Sequence, residues 1–286
     1  MTALFALATS LLWGLADFGG GLLTRRTPAL TVVVVSQCIA AVVLGVVVTA
    51  TGAWSELDGR LWFAVAAGAV GPVAMLSFYK ALALGPMGVV SPLGALGVAV
   101  PVGVGLVVGE QPGLLQFAGV AVAVVGVVLA GGPRGAPVQR QAVVLTLLAA
   151  FGFGAVMALI AEASTTVTGL FLALFVQRVT NITVGGTALY VSVRRGGRAL
   201  PEEGGRAVVL AALPALAFVG LADVAANGTY SIAAQHGPVT VAAVLASLYP
   251  VVTALGARVV LGERLRAVQA AGAGLALLGT VLLATG

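Results

Sequence analysis

Long unbroken apolar runs, not alternation, organise this chain. Stretches such as Thr31-Val-Val-Val-Val35 and Val120-Ala-Val-Ala-Val-Val125 carry no apolar–polar alternation. A transmembrane β-barrel would need that alternation in segments of about ten residues. A hydrocarbon core about 30 Å thick is crossed by a helix of about 20 apolar residues. Divided at its charges, prolines and glycine-rich breaks, the chain yields spans at 2–24, 29–52, 61–82, 86–108, 114–131, 141–162, 168–192, 207–232, 238–260 and 267–285. The pattern predicts an all-α integral membrane protein with ten transmembrane helices and short connections. The first segment, Met1-Thr-Ala-Leu-Phe-Ala-Leu-Ala, has no basic leader, so it reads as a retained span and not a cleaved signal peptide.

Composition strengthens this reading. Of 286 residues, 60% are hydrophobic and 8% are charged, where a soluble domain carries about 25% charge. Such a chain cannot cover itself with polar surface in water, so soluble-enzyme and nucleic-acid-binding readings fall away. One cysteine, Cys38, and one histidine, His236, leave no disulfide, no metal site and no Ser-His-Asp triad. No cofactor is expected. Gly103-x-Gly105 and Gly272-x-Gly274 lie within apolar helical stretches with no preceding strand, so they are packing glycines and not nucleotide loops. Asn181-Ile-Thr183 and Asn227-Gly-Thr229 match the glycosylation pattern, but both fall inside spans.

The charges set an orientation. Short loops rich in Lys and Arg stay in the cytoplasm. Of the 14 basic residues, twelve lie in or beside the odd-numbered loops: Arg25, Arg26, Lys80, Arg134, Arg140, Arg194, Arg195, Arg198, Arg206, Arg258, Arg264 and Arg266. Even-numbered loops hold Arg60 alone, and Arg178 lies inside the seventh span. Odd loops are therefore expected in the cytoplasm and both termini outside, in a multi-pass protein of the cytoplasmic membrane.

The chain also repeats itself. Trp13-Gly14, Gln37 and Gly45 recur 140 residues later as Phe153-Gly154, Gln177 and Gly185. Gly109-Glu110, Gln116, Gly119 and Gly126 recur 153 residues later as Gly262-Glu263, Gln269, Gly272 and Gly279. Tyr79 and Gly85-Pro86 correspond to Tyr230 and Gly237-Pro238. Two halves follow, 1–132 and 141–286, each of five expected helices. Five is odd, so the second half enters the membrane inverted. Inverted repeats are a transporter architecture, with the substrate site near the midplane between halves.

Each half resembles the EamA-type domain of the drug/metabolite transporter superfamily. The resemblance is carried by Trp13-Gly14, by Tyr79…Ala81…Gly85-Pro86 with Tyr230…Ala233…Gly237-Pro238, and above all by Val108-Gly109-Glu110 and Leu261-Gly262-Glu263. Each of those last two precedes a glycine-spaced closing helix. The resemblance implies ten helices in two inverted halves and the export or exchange of small metabolites or drugs. Phe153 stands where the first half has Trp13, so the copies have diverged there.

Polar residues inside the spans are the candidate substrate site, because charge in lipid costs about 2.5–3.5 kcal/mol on insertion scales. Ser10, Trp13, Gly14 and Asp17 share one face of the first helix, and Asp223, Asn227 and Tyr230 share one face of the eighth. The seventh carries Gln177, Arg178 and Asn181; ten residues past Thr168, at 1.5 Å each, put Arg178 about 15 Å deep. The candidate substrate-binding set is Trp13, Asp17, Gln37, Tyr79, Gln177, Arg178, Asp223, Asn227 and Tyr230. Each has a structural alternative: Tyr79 and Tyr230 as packing residues, Gln37 and Gln177 as helix bridges, Arg178 as half of a tethering ion pair. Arg178 keeps its proton at any accessible pH. Its expected partner is Asp223, because helices seven and eight are consecutive, with Asp17 the alternative. Asp17 or Asp223 is a candidate to exchange a proton for substrate.

Glu110 and Glu263 each stand before a new helix, where a carboxylate satisfies N-terminal N–H groups. Capping is expected, with a gate between Glu263 and Arg264 or Arg266 as the alternative. Lys80 is expected to reach for lipid phosphate, His236 to sit in an outer loop, and Pro72, Pro92, Pro101, Pro214 and Pro250 to interrupt spans. The whole reads as a secondary transporter of a small organic solute and not an enzyme. It works as a monomer or homodimer, with the bilayer, its solute and protons as partners. A scaffold subunit and a lipid-modifying enzyme are the competing readings; the latter lacks a titratable cluster at the membrane interface.

Overall fold

The computed structural model describes residues 2–98, 100, 113–131, 139–235, 245–246 and 248–285. Among them every regular element is a helix, the α-helices being α1 Thr2–Thr24, α2 Ala29–Thr51, α3 Leu61–Leu84, α4 Met87–Gly94, α5 Leu114–Gly131, α6 Arg140–Ala163, α7 Val167–Arg194, α8 Gly205–Gln235, α9 Tyr249–Leu261 and α10 Ala267–Thr285. Six are long and apolar enough to cross a membrane: α1, α2, α3, α6, α7 and α8. Their ends follow from local chemistry. Pro28 and Pro86 precede α2 and α4, where a helix cannot begin earlier without a clash. Thr166 caps α7, its hydroxyl accepting from the Gly169 N–H at 3.0 Å. Gly52 closes α2 at φ 67° and Gly262 closes α9 at φ 66°, a conformation that favours glycine.

Two expected spans are interrupted among the described residues. In the stretch expected as one helix at 86–108, the described residues are α-helical from Met87 to Gly94 and then tighten into a 3₁₀ turn at Ala95–Val98. Gly97 lies there against the backbone of Ala150 in α6, an approach that leaves no room for a side chain. Within the stretch expected as a helix at 238–260, α9 runs from Tyr249, after a turn at Leu248, with Pro250 in its first turn, where the missing N–H costs nothing. Glu110, His236, Pro101, Gly103, Gly105, Gly109 and Gly237-Pro238 lie outside the described residues.

Packing runs between the two halves of the chain. α3 packs on α6 and α1 on α8; α3 on α7 and α2 on α8; α1 on α9 and α4 on α6; α2 packs on α7, α4 on α9 and α5 on α10. The core is centred on Val32, Val33, Phe78, Tyr79, Leu82, Met87, Leu216 and Val219. One end of the bundle brings together the α1–α2, α3–α4, α7–α8 and α9–α10 connections. Arg25 meets Glu263 there, Thr31 donates to the Ala199 carbonyl, and Gly85 lies against Ala142. At the opposite end Trp54 packs on Phe175, ring centroids 5.7 Å apart, and Ala64 packs on Ala163.

Glu263 caps a helix, but not the one that follows it. Gly262 turns the chain so that the carboxylate accepts from the N–H groups of Met87 (3.1 Å) and Gly88 (3.3 Å), the first turn of α4 in the other half. Arg25 completes the cluster at 3.3 Å, the place that the gate alternative gave to Arg264 or Arg266. A groove of about 310 Å³ opens beside it, lined by Arg25, Leu84, Pro86, Glu263, Arg264 and Leu265 among others. Glu263→Ala is expected to lower stability by about 1–2 kcal/mol, the worth of a helix cap, since the half-exposed arginine adds little. Thermal melts of the purified variant in detergent check this; an unchanged midpoint would show that the cap carries no stability.

Candidate functional site

The polar residues of four helices converge inside the bundle. Arg178 on α7 is 4% exposed, and its guanidinium is held on two sides. Nη2 donates to Asp223 Oδ2 on α8 at 2.6 Å. Nη1 donates to Gln37 Oε1 on α2, also at 2.6 Å. The pairing expected from consecutive helices is thus the one present. Arg178 Nε and Gln37 Nε2 are buried without a hydrogen-bond partner. Asn227, one turn along α8, turns its amide back to the Asp223 carbonyl at 2.7 Å and to its carboxylate at 3.4 Å. A desolvated charge pair held by a third polar group is satisfied enough to survive burial.

Asp17 stands differently. It lies on α1 within electrostatic reach of Asp223 on α8, Tyr79 on α3 and Tyr249 on α9. Its carboxylate makes no ion pair among the described residues, and the residue is half-buried. Tyr79 is buried, its ring laid over Gly20 of α1; a methyl group at Gly20 would come within 2.7 Å of the Tyr79 hydroxyl. Glycine at that position is what lets Tyr79 approach α1.

One helical turn from Asp17, toward the end away from Arg25, three rings gather. Trp13 lies 5.9 Å from Tyr230 on α8 and 6.1 Å from Tyr249 on α9, the latter edge-to-face. All three are half-buried. Gly14 lets α9 come this close, since any side chain there would meet Val252 and the Tyr249 carbonyl. Thr253 ties the contact with a 3.0 Å bond to the Gly14 carbonyl. Thr9 and Thr229 join α1 to α8 at 2.9 Å.

Of the nine expected site residues, Trp13, Asp17, Gln37, Tyr79, Arg178, Asp223, Asn227 and Tyr230 come together here. Gln177 does not. It is buried against Gly68 and Gly71 of α3, with its Oε1 unpartnered. Asn181 sits beside it, donating to Met75 Sδ at 3.9 Å. Tyr249 was not among the expected residues. The chain has only 4 tyrosines, and Tyr190 is tied to Arg194 at the basic end; the remaining three all border this site.

Six membrane-length helices among the described residues, with a polar cluster between them, define a polytopic membrane protein. The model of the EamA-like transporter family matches residues 1–132 and 140–285, and the chain belongs to that family. It is therefore a multi-pass membrane protein of the drug/metabolite transporter type. No curated protein matches it. Solved structures do: one, a crystal structure of a protein 16% identical, aligns with a TM-score of 0.61 over 99% of this chain and 96% of that one. At that identity the likeness speaks for the fold alone.

Proposed function

We propose that this protein is a secondary transporter that moves a small organic metabolite or drug across the cytoplasmic membrane by alternating access, as an exporter. The two halves, 1–132 and 141–286, are taken as inverted five-helix repeats. Support comes from the paired family match and from the packing, in which exchanging α1–α5 with α6–α10 maps the α3–α6 contact onto α8–α1 and the α1–α9 contact onto α6–α4. The observation that carries the reading is the cluster of Gln37, Arg178 and Asp223 with Asp17 beside it, contributed by both halves and set away from either end. Charges are kept at membrane depth where they border a pathway. Asp17, lacking an ion partner, is the group that exchanges a proton for the solute. Uptake of a solute panel into proteoliposomes, with and without a pH gradient, tests the function. Gradient-dependent accumulation of one solute is expected, and no movement of any would favour a scaffold subunit.

The basic end is taken as cytoplasmic. In a Cys38→Ala background, cysteines placed at Thr2 and Thr285 are expected to react with an impermeant maleimide on intact cells, and one at Arg198 is not. Labelling at position 198 with none at the termini would reverse the orientation.

A further inference from the structure

We infer that the solute is an organic cation, an amine or quaternary ammonium seated against Trp13, Tyr230 and Tyr249 with its charge facing Asp17; this rests on the transporter reading and names its substrate class. The first support is the charge at the site. Once Asp17 has given up its proton, Asp17 and Asp223 bring two negative charges and Arg178 one positive. Arg178 is committed to Asp223 and Gln37. Asp17 is left with no cation partner among the described residues, and the groups within its electrostatic reach, Asp223, Tyr79 and Tyr249, bring it no positive charge. A carboxylate in that position attracts a cation and repels an anion.

The rings supply the second support independently. Trp13 occupies the face of α1 one turn from Asp17, and its neighbours Tyr230 and Tyr249 come from two other helices. All three keep part of their surface uncovered, whereas Gln37, Tyr79 and Arg178 are sealed. Ring faces attract cations, tryptophan most strongly, and clustered rings are a recurrent receptor for quaternary ammonium groups. Apolar packing alone does not require three amphipathic aromatics here: the corresponding ring in the second half is Phe153, which packs edge-to-face on Phe78 at 5.5 Å. The half that carries the acid is the half that carries the indole.

The test uses the full chain in lipid nanodiscs with Trp54→Phe and Trp62→Phe, so that Trp13 is the only indole. Benzyltrimethylammonium and benzylsulfonate are compared as probes of similar shape and opposite charge. Saturable quenching of Trp13 by the cation alone is expected, weakened at least tenfold in Asp17→Asn and retained in Asp17→Glu. Equal or tighter binding of the sulfonate, or binding of neither probe, overturns the inference without any Asp17 variant having to fold. Cation affinity unchanged in Asp17→Asn overturns it as well. The two readings fail separately: cation binding without movement in proteoliposomes sinks the transporter alone, and transport of an anionic solute without cation binding sinks this inference alone.

Discussion

Arg178→Ala is expected to destabilise the protein by about 3–5 kcal/mol, the cost of leaving a buried charge without its partner. The substitution strands the Asp223 carboxylate, whose side chain is only 23% exposed, and removes the donor held by Gln37 Oε1 at 2.6 Å. Because the two residues touch, their effects are not additive. Arg178→Ala combined with Asp223→Ala is therefore expected to recover about 1–3 kcal/mol relative to the sum of the single losses. Thermal unfolding in one detergent, with all four proteins side by side, measures this. A double variant that merely sums the single losses would show that the 2.6 Å contact contributes no coupling.

Asp17→Asn is expected to behave in the opposite manner. Asp17 has no ion partner among the described residues to strand, so the fold and the melting midpoint should hold. What it should lose is uphill movement. Accumulation driven by a pH gradient in proteoliposomes is expected to vanish, while downhill movement at saturating solute persists. Full gradient-driven accumulation by a well-folded Asp17→Asn protein would take Asp17 out of the coupling step. The contrast is the useful part: one acid matters to stability and the other to work.

Much of this arrangement is legible in the sequence, for physical reasons. The expected spans 2–24, 114–131 and 267–285 coincide with Thr2–Thr24, Leu114–Gly131 and Ala267–Thr285. Arg25, Gly113 and Arg266 mark those boundaries plainly. The Arg178–Asp223 pair was accessible because so few charges lie at depth that the choice was between two acids. The single face of Trp13 and Asp17 followed from helical period alone. What hid was long-range. The 3₁₀ turn after Gly94 arises where Gly97 meets α6, and apolar content does not reveal such an approach. Tyr249 sits in a stretch that reads as ordinary span, and only folding brings it to Trp13. Glu263 stands in the sequence as a cap for the helix that follows it, yet the amides it satisfies are 176 and 175 residues away.

The repeat pattern sharpens where function resides. At the 140-residue shift, Asp17 corresponds to Met157 and Arg178 to Cys38. The shift of 151 that relates Tyr79 to Tyr230 sets Asp223 against Pro72. Each charge of the site thus stands opposite an uncharged residue. The backbone contacts are shared, with Gly14 against α9 and Gly154 against Gly97, while the charges belong to one copy of each pair. On the present account the repeat supplies the moving frame and its divergence supplies the site.

That frame makes one direct demand: the site must open to each face in turn. Ser10, on the Trp13–Asp17 face of α1, is 3% exposed in this structure, and cysteine replaces serine there with little change of shape. With Cys38→Ala and Ser10→Cys, an impermeant maleimide applied to either face alone of reconstituted liposomes is expected to label the whole population in time, with no steady ion conductance across the membrane. Protection of Ser10→Cys from both faces, or labelling accompanied by a continuous conductance, would contradict alternating access.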